Sequence, residues 1–120
     1  PDANGVEPNR PRPCLEDTDV LPLDYKSFDE MDTLIFRGLK SRQVELHSKK
    51  TGKGVRVRFH DFPLLALWSM PGKAAPYLCI EPWHGMSAVA GEGPELADKA
   101  YCITLAPGES RTLSYQVDTL

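Results

Sequence analysis

At 120 residues and 13.3 kDa the chain has room for one small domain and little space for a second independent core. Its 41% hydrophobic and 26% charged content matches folded soluble proteins and excludes a disordered polymer. With 14 Lys and Arg against 17 Asp and Glu the net charge is -3, so no overall basic field draws in nucleic acid or an acidic membrane surface.

Five of the 11 prolines fall within the first 22 residues. Proline fixes its own backbone angle and lacks an amide donor, so residues 1–19 read as an extended arm or loop. The opening Pro1-Asp2-Ala3-Asn4-Gly5 carries no secretory signal pattern. It begins with Pro rather than Met, which leaves room for processing or truncation.

From residue 20 to 120 the pattern is strand, turn, strand. Leu34-Ile35-Phe36 is a short apolar run closed by Gly38. Val44 and Leu46 alternate with Glu45 and His47, as do Val55, Val57 and Phe59 with Arg56, Arg58 and His60. With Gly52 and Gly54 between them, these two half-buried strands make a β-hairpin. Leu64-Leu65-Ala66-Leu67-Trp68 is apolar on both faces, as a central strand would be. It is far shorter than the roughly 20 residues that span a bilayer, so no membrane partner is expected.

Tyr77 to Ile80 resumes a buried strand, and residues 85–98 read as a long loop with at most one helical turn. Tyr101 to Leu105 and Leu113 to Val117 flank the turn Pro107-Gly108-Glu109-Ser110. The expected fold is an all-β antiparallel sandwich, with strands near 33–39, 43–48, 55–60, 64–69, 77–81, 101–105 and 111–117. Its buried set is expected to include Leu34, Phe36, Val44, Leu46, Val57, Phe59, Leu65, Leu67, Leu78, Ile80, Ile103 and Leu105. No segment shows a convincing amphipathic helix.

Cys14, Cys79 and Cys102 are odd in number and lack a Cys-x-x-Cys spacing, which argues against a disulfide framework or a cysteine zinc site. Cys79 and Cys102 lie in apolar stretches and read as buried thiols, and a reducing cytoplasm is the expected compartment.

Glu81 ends the apolar strand just before Pro82. A carboxylate there is partly desolvated, which suits a general base, and Trp83 offers a flat apolar face for a sugar ring. The alternative is a strand-end glutamate paired with a cation on the rim. Cys79-Ile80-Glu81-Pro82-Trp83-x-Gly85, preceded by Leu67-Trp68-Ser69 and followed by Leu105-x-Pro107-Gly108-Glu109, resembles the C-terminal half of bacterial aldose 1-epimerases. These are the galactose mutarotase-like proteins. The likeness runs from about Leu21 onward and includes Phe28-x-x-x-Asp32-x-Leu34-Ile35-Phe36, Leu39-x-Ser41, the hairpin around Gly52, and Phe62-Pro63.

The resemblance implies a larger β-sandwich, with Glu81 as the base that removes the anomeric hydroxyl proton. It implies that Asp32 holds a sugar hydroxyl, where the residue alone reads equally as a turn position. A base at the C1 hydroxyl and an acid at the ring oxygen open the ring, and reclosure on the other carbonyl face gives the opposite anomer. Such proton traffic needs neither metal nor cofactor. The partner implied is a monosaccharide aldose, with or without a phosphate.

The family's acid is a histidine in a Gly-x-His-Pro-x-Phe type segment, which this chain lacks. His47 and His60 read as solvated surface residues, while His84 is the histidine beside Glu81 and is a candidate substrate contact. The chain therefore reads as a C-terminal portion, expected to associate with a missing N-terminal half or with itself through exposed edges or apolar surface. A non-catalytic sugar-binding domain on the same scaffold, using Trp83 and Asp32, is the competing reading.

Other patterns are weaker. The basic residues from Arg37 to Arg58 alternate with apolar ones and lack an aromatic platform, so they read as a solvated sheet face rather than a nucleic-acid site. Ser110 and Ser114 lack a nucleophile elbow, and a glycosidase would need a second carboxylate as distinctive as Glu81.

Overall fold

A computed structural model describes residues 6–8, 13–15 and 18–120, so the arm expected over residues 1–19 falls partly outside the described residues. The first regular element is a helix, α1 (Tyr25–Met31), which the hydrophobic pattern does not announce. Asp24 caps it, accepting at 2.8 Å from both the amide and the hydroxyl of Ser27. Phe28 is its buried residue, and Asp32 closes it by donating its amide to the Phe28 carbonyl at 2.8 Å.

Two antiparallel three-stranded sheets follow. The first comprises β1 (Thr33–Arg37), β4 (Leu64–Trp68) and β5 (Cys79–Trp83), in the order β1-β4-β5. The second comprises β2 (Gln43–His47), β3 (Gly54–Arg58) and β6 (Gln116–Thr119), in the order β2-β3-β6. The β2–β3 hairpin is the one read from alternation. Gly54 is required there because a Cβ would lie 2.5 Å from the Leu46 carbonyl oxygen.

The core is shared by helix and sheets. Phe28, Leu34, Phe59, Leu65 and Leu67 are buried together, with Phe36, Val44, Leu78 and Ile80 packed against them. Burying each such side chain contributes about 1.5–3 kcal/mol. Arg42 lies over the Phe59 ring, 5.6 Å from its centroid, and donates to the carbonyls of Phe62 and Leu39. On the β2–β3–β6 sheet, Arg56 pairs with Glu45 at 2.6 Å and Arg58 pairs with Asp118. Two members of the basic cluster are thus neutralised in place.

Several expectations need correction. The expected strand at 101–105 is absent. Tyr101 takes a left-handed φ of 62°, the Cys102 amide bonds back to the Lys99 carbonyl, and Leu105 is exposed. A residue in that conformation cannot continue an extended ladder. The last strand begins at Gln116 because Ser114 is tied through its amide and hydroxyl to Asp61, both at 2.7 Å.

The strand carrying Glu81 runs on through Pro82 to Trp83, with Pro82 opposite Leu65. β5 is an edge of this sheet, the position where a strand tolerates proline. Cys102 is exposed and Cys79 half-buried, so neither is a fully buried thiol. Among the described residues no helix is long and apolar enough to cross a membrane.

Candidate functional site

Alternation along three paired strands divides the first sheet into two faces. One face carries Leu34, Phe36, Leu65, Leu67 and Ile80 into the core. The other carries Thr33, Ile35 and Arg37 from β1, Leu64, Ala66 and Trp68 from β4, and Cys79, Glu81 and Trp83 from β5. In register, Glu81 lies opposite Ala66, Trp83 opposite Leu64, and Cys79 opposite Trp68. Leu64 and Ala66 are fully buried, so this second face is also packed.

Glu81 and Trp83 are two residues apart on one strand and therefore share a face. The Trp83 indole N–H donates to Glu81 Oε2 at 3.0 Å. Both side chains are half-buried. One carboxylate oxygen is thereby oriented, and among the described residues the other carries no hydrogen bond. A proton acceptor held by one bond and open at its second oxygen is chemically suited to general-base work.

His84 follows directly. Its Nδ1 lies 2.7 Å from the Tyr101 carbonyl, so that nitrogen holds a proton and donates it. In the neutral ring Nε2 is then the acceptor.

Asp32 reaches the same face from the end of α1, although it is exposed. Its Oδ1 accepts the Trp68 indole N–H at 3.3 Å, and its Oδ2 accepts the Thr33 hydroxyl at 3.0 Å. Its backbone lies at φ 59° and ψ -80°, a positive-φ conformation outside the left-handed helical region and strained for any side chain. The structure thus brings Asp32, Glu81 and Trp83 to one sheet face, with His84 at its margin. Trp68 and Tyr77 are the residues that motif reading passed over as site components.

Beside this face lies an open cleft of about 730 Å³, lined by Arg37, Gly91, Glu92, Gly93, Asp98 and Tyr101 among others. Glu81 does not line it. The two are joined through Tyr101, whose carbonyl holds His84. Arg37 donates to the Pro8 carbonyl at 3.0 Å, and the Glu7 backbone bridges to Val89, so residues 6–8 border the same region. Among the described residues no cluster of His, Cys, Asp and Glu is arranged to hold a metal ion.

The loop forming the cleft is organised by Glu92. Its carboxylate accepts the Val89 amide at 2.8 Å and the Ala100 amide at 2.7 Å, with the Lys99 ammonium 3.5 Å away. The Val89 bond first, then the Ala100 bond and Lys99, hold the carboxyl below its ordinary range. Since the folded form binds its proton less readily, the tie is fully present above the ordinary value of about 4.3 and is lost as pH falls through the lower folded one. Amide shifts of Val89 and Ala100, followed by NMR, are expected to move together in that acid range. A Glu92→Gln variant is expected to remove this transition.

No family model matches the chain. Over 108 residues, 90% of its length, it is 43% identical to Protein LacX of Lactococcus lactis subsp. lactis, in both the plasmid and the chromosomal form. The same stretch is 36% of each relative, so the chain spans about a third of the curated relatives it matches. No solved structure matches it.

Proposed function

We propose that this chain carries the C-terminal part of an aldose 1-epimerase-like active site, with Glu81 as the base that deprotonates the C1 hydroxyl of an aldose. The observation that carries the reading is the pairing of Glu81 with the Trp83 indole N–H at 3.0 Å, on a sheet face that also holds Asp32. A carboxylate, an indole face and a second carboxylate together supply proton removal, stacking and hydroxyl recognition, which are the elements of sugar ring opening.

In this reading Glu81 takes the C1 hydroxyl proton as the ring oxygen gains one from an acid outside this chain. The C1–O5 bond breaks, rotation about C1–C2 exposes the other carbonyl face, and the same groups act in reverse on closure. Asp32 accepts a sugar hydroxyl, Trp83 covers the ring, and His84 contacts substrate from the margin. The substrate is an aldose free at C1. Polarimetry of a freshly dissolved single anomer with the complete protein tests this, after subtraction of the spontaneous rate. Acceleration is the expected result. Sugar binding without acceleration would replace this reading with a non-catalytic carbohydrate-binding domain.

A further inference from the structure

The loop between His84 and Tyr101 is held by polar ties rather than by a core of its own. Residues 94–98 are all exposed, Leu96 at 79%, and they include the 3-10 turn Leu96–Asp98. Buried apolar contacts in that stretch therefore do not fix where Ala100 and Tyr101 lie. Glu92 does so instead. Its side chain is 11% exposed, and its two oxygens reach opposite ends of the loop. Oε2 accepts the Val89 amide at 2.8 Å, and Oε1 accepts the Ala100 amide at 2.7 Å. A carboxylate withdrawn this far from water is costly unless its hydrogen bonds are made, and here each oxygen has one.

Each end of this bridge is anchored further. The Glu7 backbone brackets Val89, donating to the Ala88 carbonyl at 2.7 Å and accepting from the Ala90 amide at 2.9 Å. At the other end the Lys99 ammonium lies 3.5 Å from Glu92, and the Cys102 amide donates to the Lys99 carbonyl at 3.2 Å. Between these ties Tyr101 holds a φ of 62°. That conformation costs a non-glycine residue free energy and persists only where its surroundings impose it. The Tyr101 carbonyl lies 2.7 Å from His84 Nδ1. An imidazole whose Nδ1–H is committed in this way keeps its lone pair on Nε2, whereas an unheld ring exchanges between its two neutral forms.

We propose that Glu92 is a positioning residue for the candidate active site, acting on His84 through the Tyr101 carbonyl. By holding Ala100 it keeps that carbonyl at Nδ1, so Nε2 remains the acceptor offered to a sugar hydroxyl. Glu92 itself makes no contact with the sugar. This rests on the reading of His84 as a substrate contact.

The test uses the complete protein and two readouts. Long-range proton–nitrogen NMR of the His84 ring, at a pH where it is neutral, reports which nitrogen holds the proton. Wild type is expected to show a protonated Nδ1 and a bare Nε2. Glu92→Gln presents one acceptor oxygen and one amino group, so it cannot receive both backbone amides, and the ring is expected to relax to a mixture. A bare Nδ1 in wild type, or an unchanged ring signal in the variant, overturns the proposal. The second readout is a double-mutant cycle on kcat/KM for anomer interconversion. Glu92→Gln and His84→Ala are each expected to lower it about tenfold, the worth of one neutral hydrogen bond, mainly through KM. Together they are expected to cost no more than His84→Ala alone. A Glu92→Gln loss of equal size with and without His84 marks a merely structural role and overturns the proposal. If Glu92→Gln does not fold, Glu92→Asp, which keeps the charge but shortens the reach, takes its place in both measurements. If wild type interconverts no sugar, the reading of Glu81 as the base fails on its own. The ring signal then decides: a shift on substitution of Glu92 sustains the positioning of His84, and an unchanged signal overturns it.

Discussion

Glu81→Gln in the complete protein is expected to slow catalysed anomer interconversion by about 10²–10⁴-fold, the usual loss when a general base is removed. The substitution keeps the side chain's shape, and the amide oxygen can still accept the Trp83 indole N–H that Glu81 Oε2 accepts at 3.0 Å. What it removes is proton affinity at the open oxygen. Sugar binding, measured by calorimetry, is expected to survive because Trp83 and Asp32 are untouched. The expected pattern is therefore a collapse in kcat with little change in KM. An unchanged rate would remove Glu81 from the mechanism.

The second large effect concerns stability. Phe59 is 1% exposed and follows β3, joining Leu34, Leu65 and Leu67 of the other sheet in one cluster. Phe59→Ala is expected to cost about 3–5 kcal/mol, combining the lost transfer energy of the ring with the cavity it leaves. The Arg42 guanidinium, now 5.6 Å from the ring centroid, would also lose its aromatic face. Denaturant unfolding of the complete protein would show this as a lower midpoint with an unchanged slope. A midpoint close to wild type would mean that the two sheets do not depend on this contact.

What could be read from the sequence was whatever depends on short-range periodicity. The β2–β3 hairpin is legible because alternation at Val44 and Leu46 is mirrored at Val55 and Val57, with glycines between. β4 is legible because both of its faces are apolar, and it is the central strand of its sheet. Helix α1 escaped because seven residues with one buried side chain, Phe28, leave almost no helical period to detect. Its start depends on the Asp24 cap, a local polar signal.

The apolar run from Tyr101 to Leu105 misled for the opposite reason. Its pattern suits a strand, yet the left-handed backbone at Tyr101 and the Cys102–Lys99 bond turn the chain away. At the candidate site, the shared face of Glu81 and Trp83 follows from their spacing of two. The Asp32–Trp68 bond joins residues 36 apart, so only the pairing of β1 with β4 brings them together.

Trp68 and Trp83 are the two tryptophans of the chain, and each gives its indole N–H to a different one of the two candidate carboxylates. Each ring is thus an optical probe wired to one acid. Removing Trp68 leaves emission that senses Glu81, and removing Trp83 leaves emission that senses Asp32. Ligand arriving at one end of the sheet face can then be told by colour and intensity from ligand arriving at the other, without any added label.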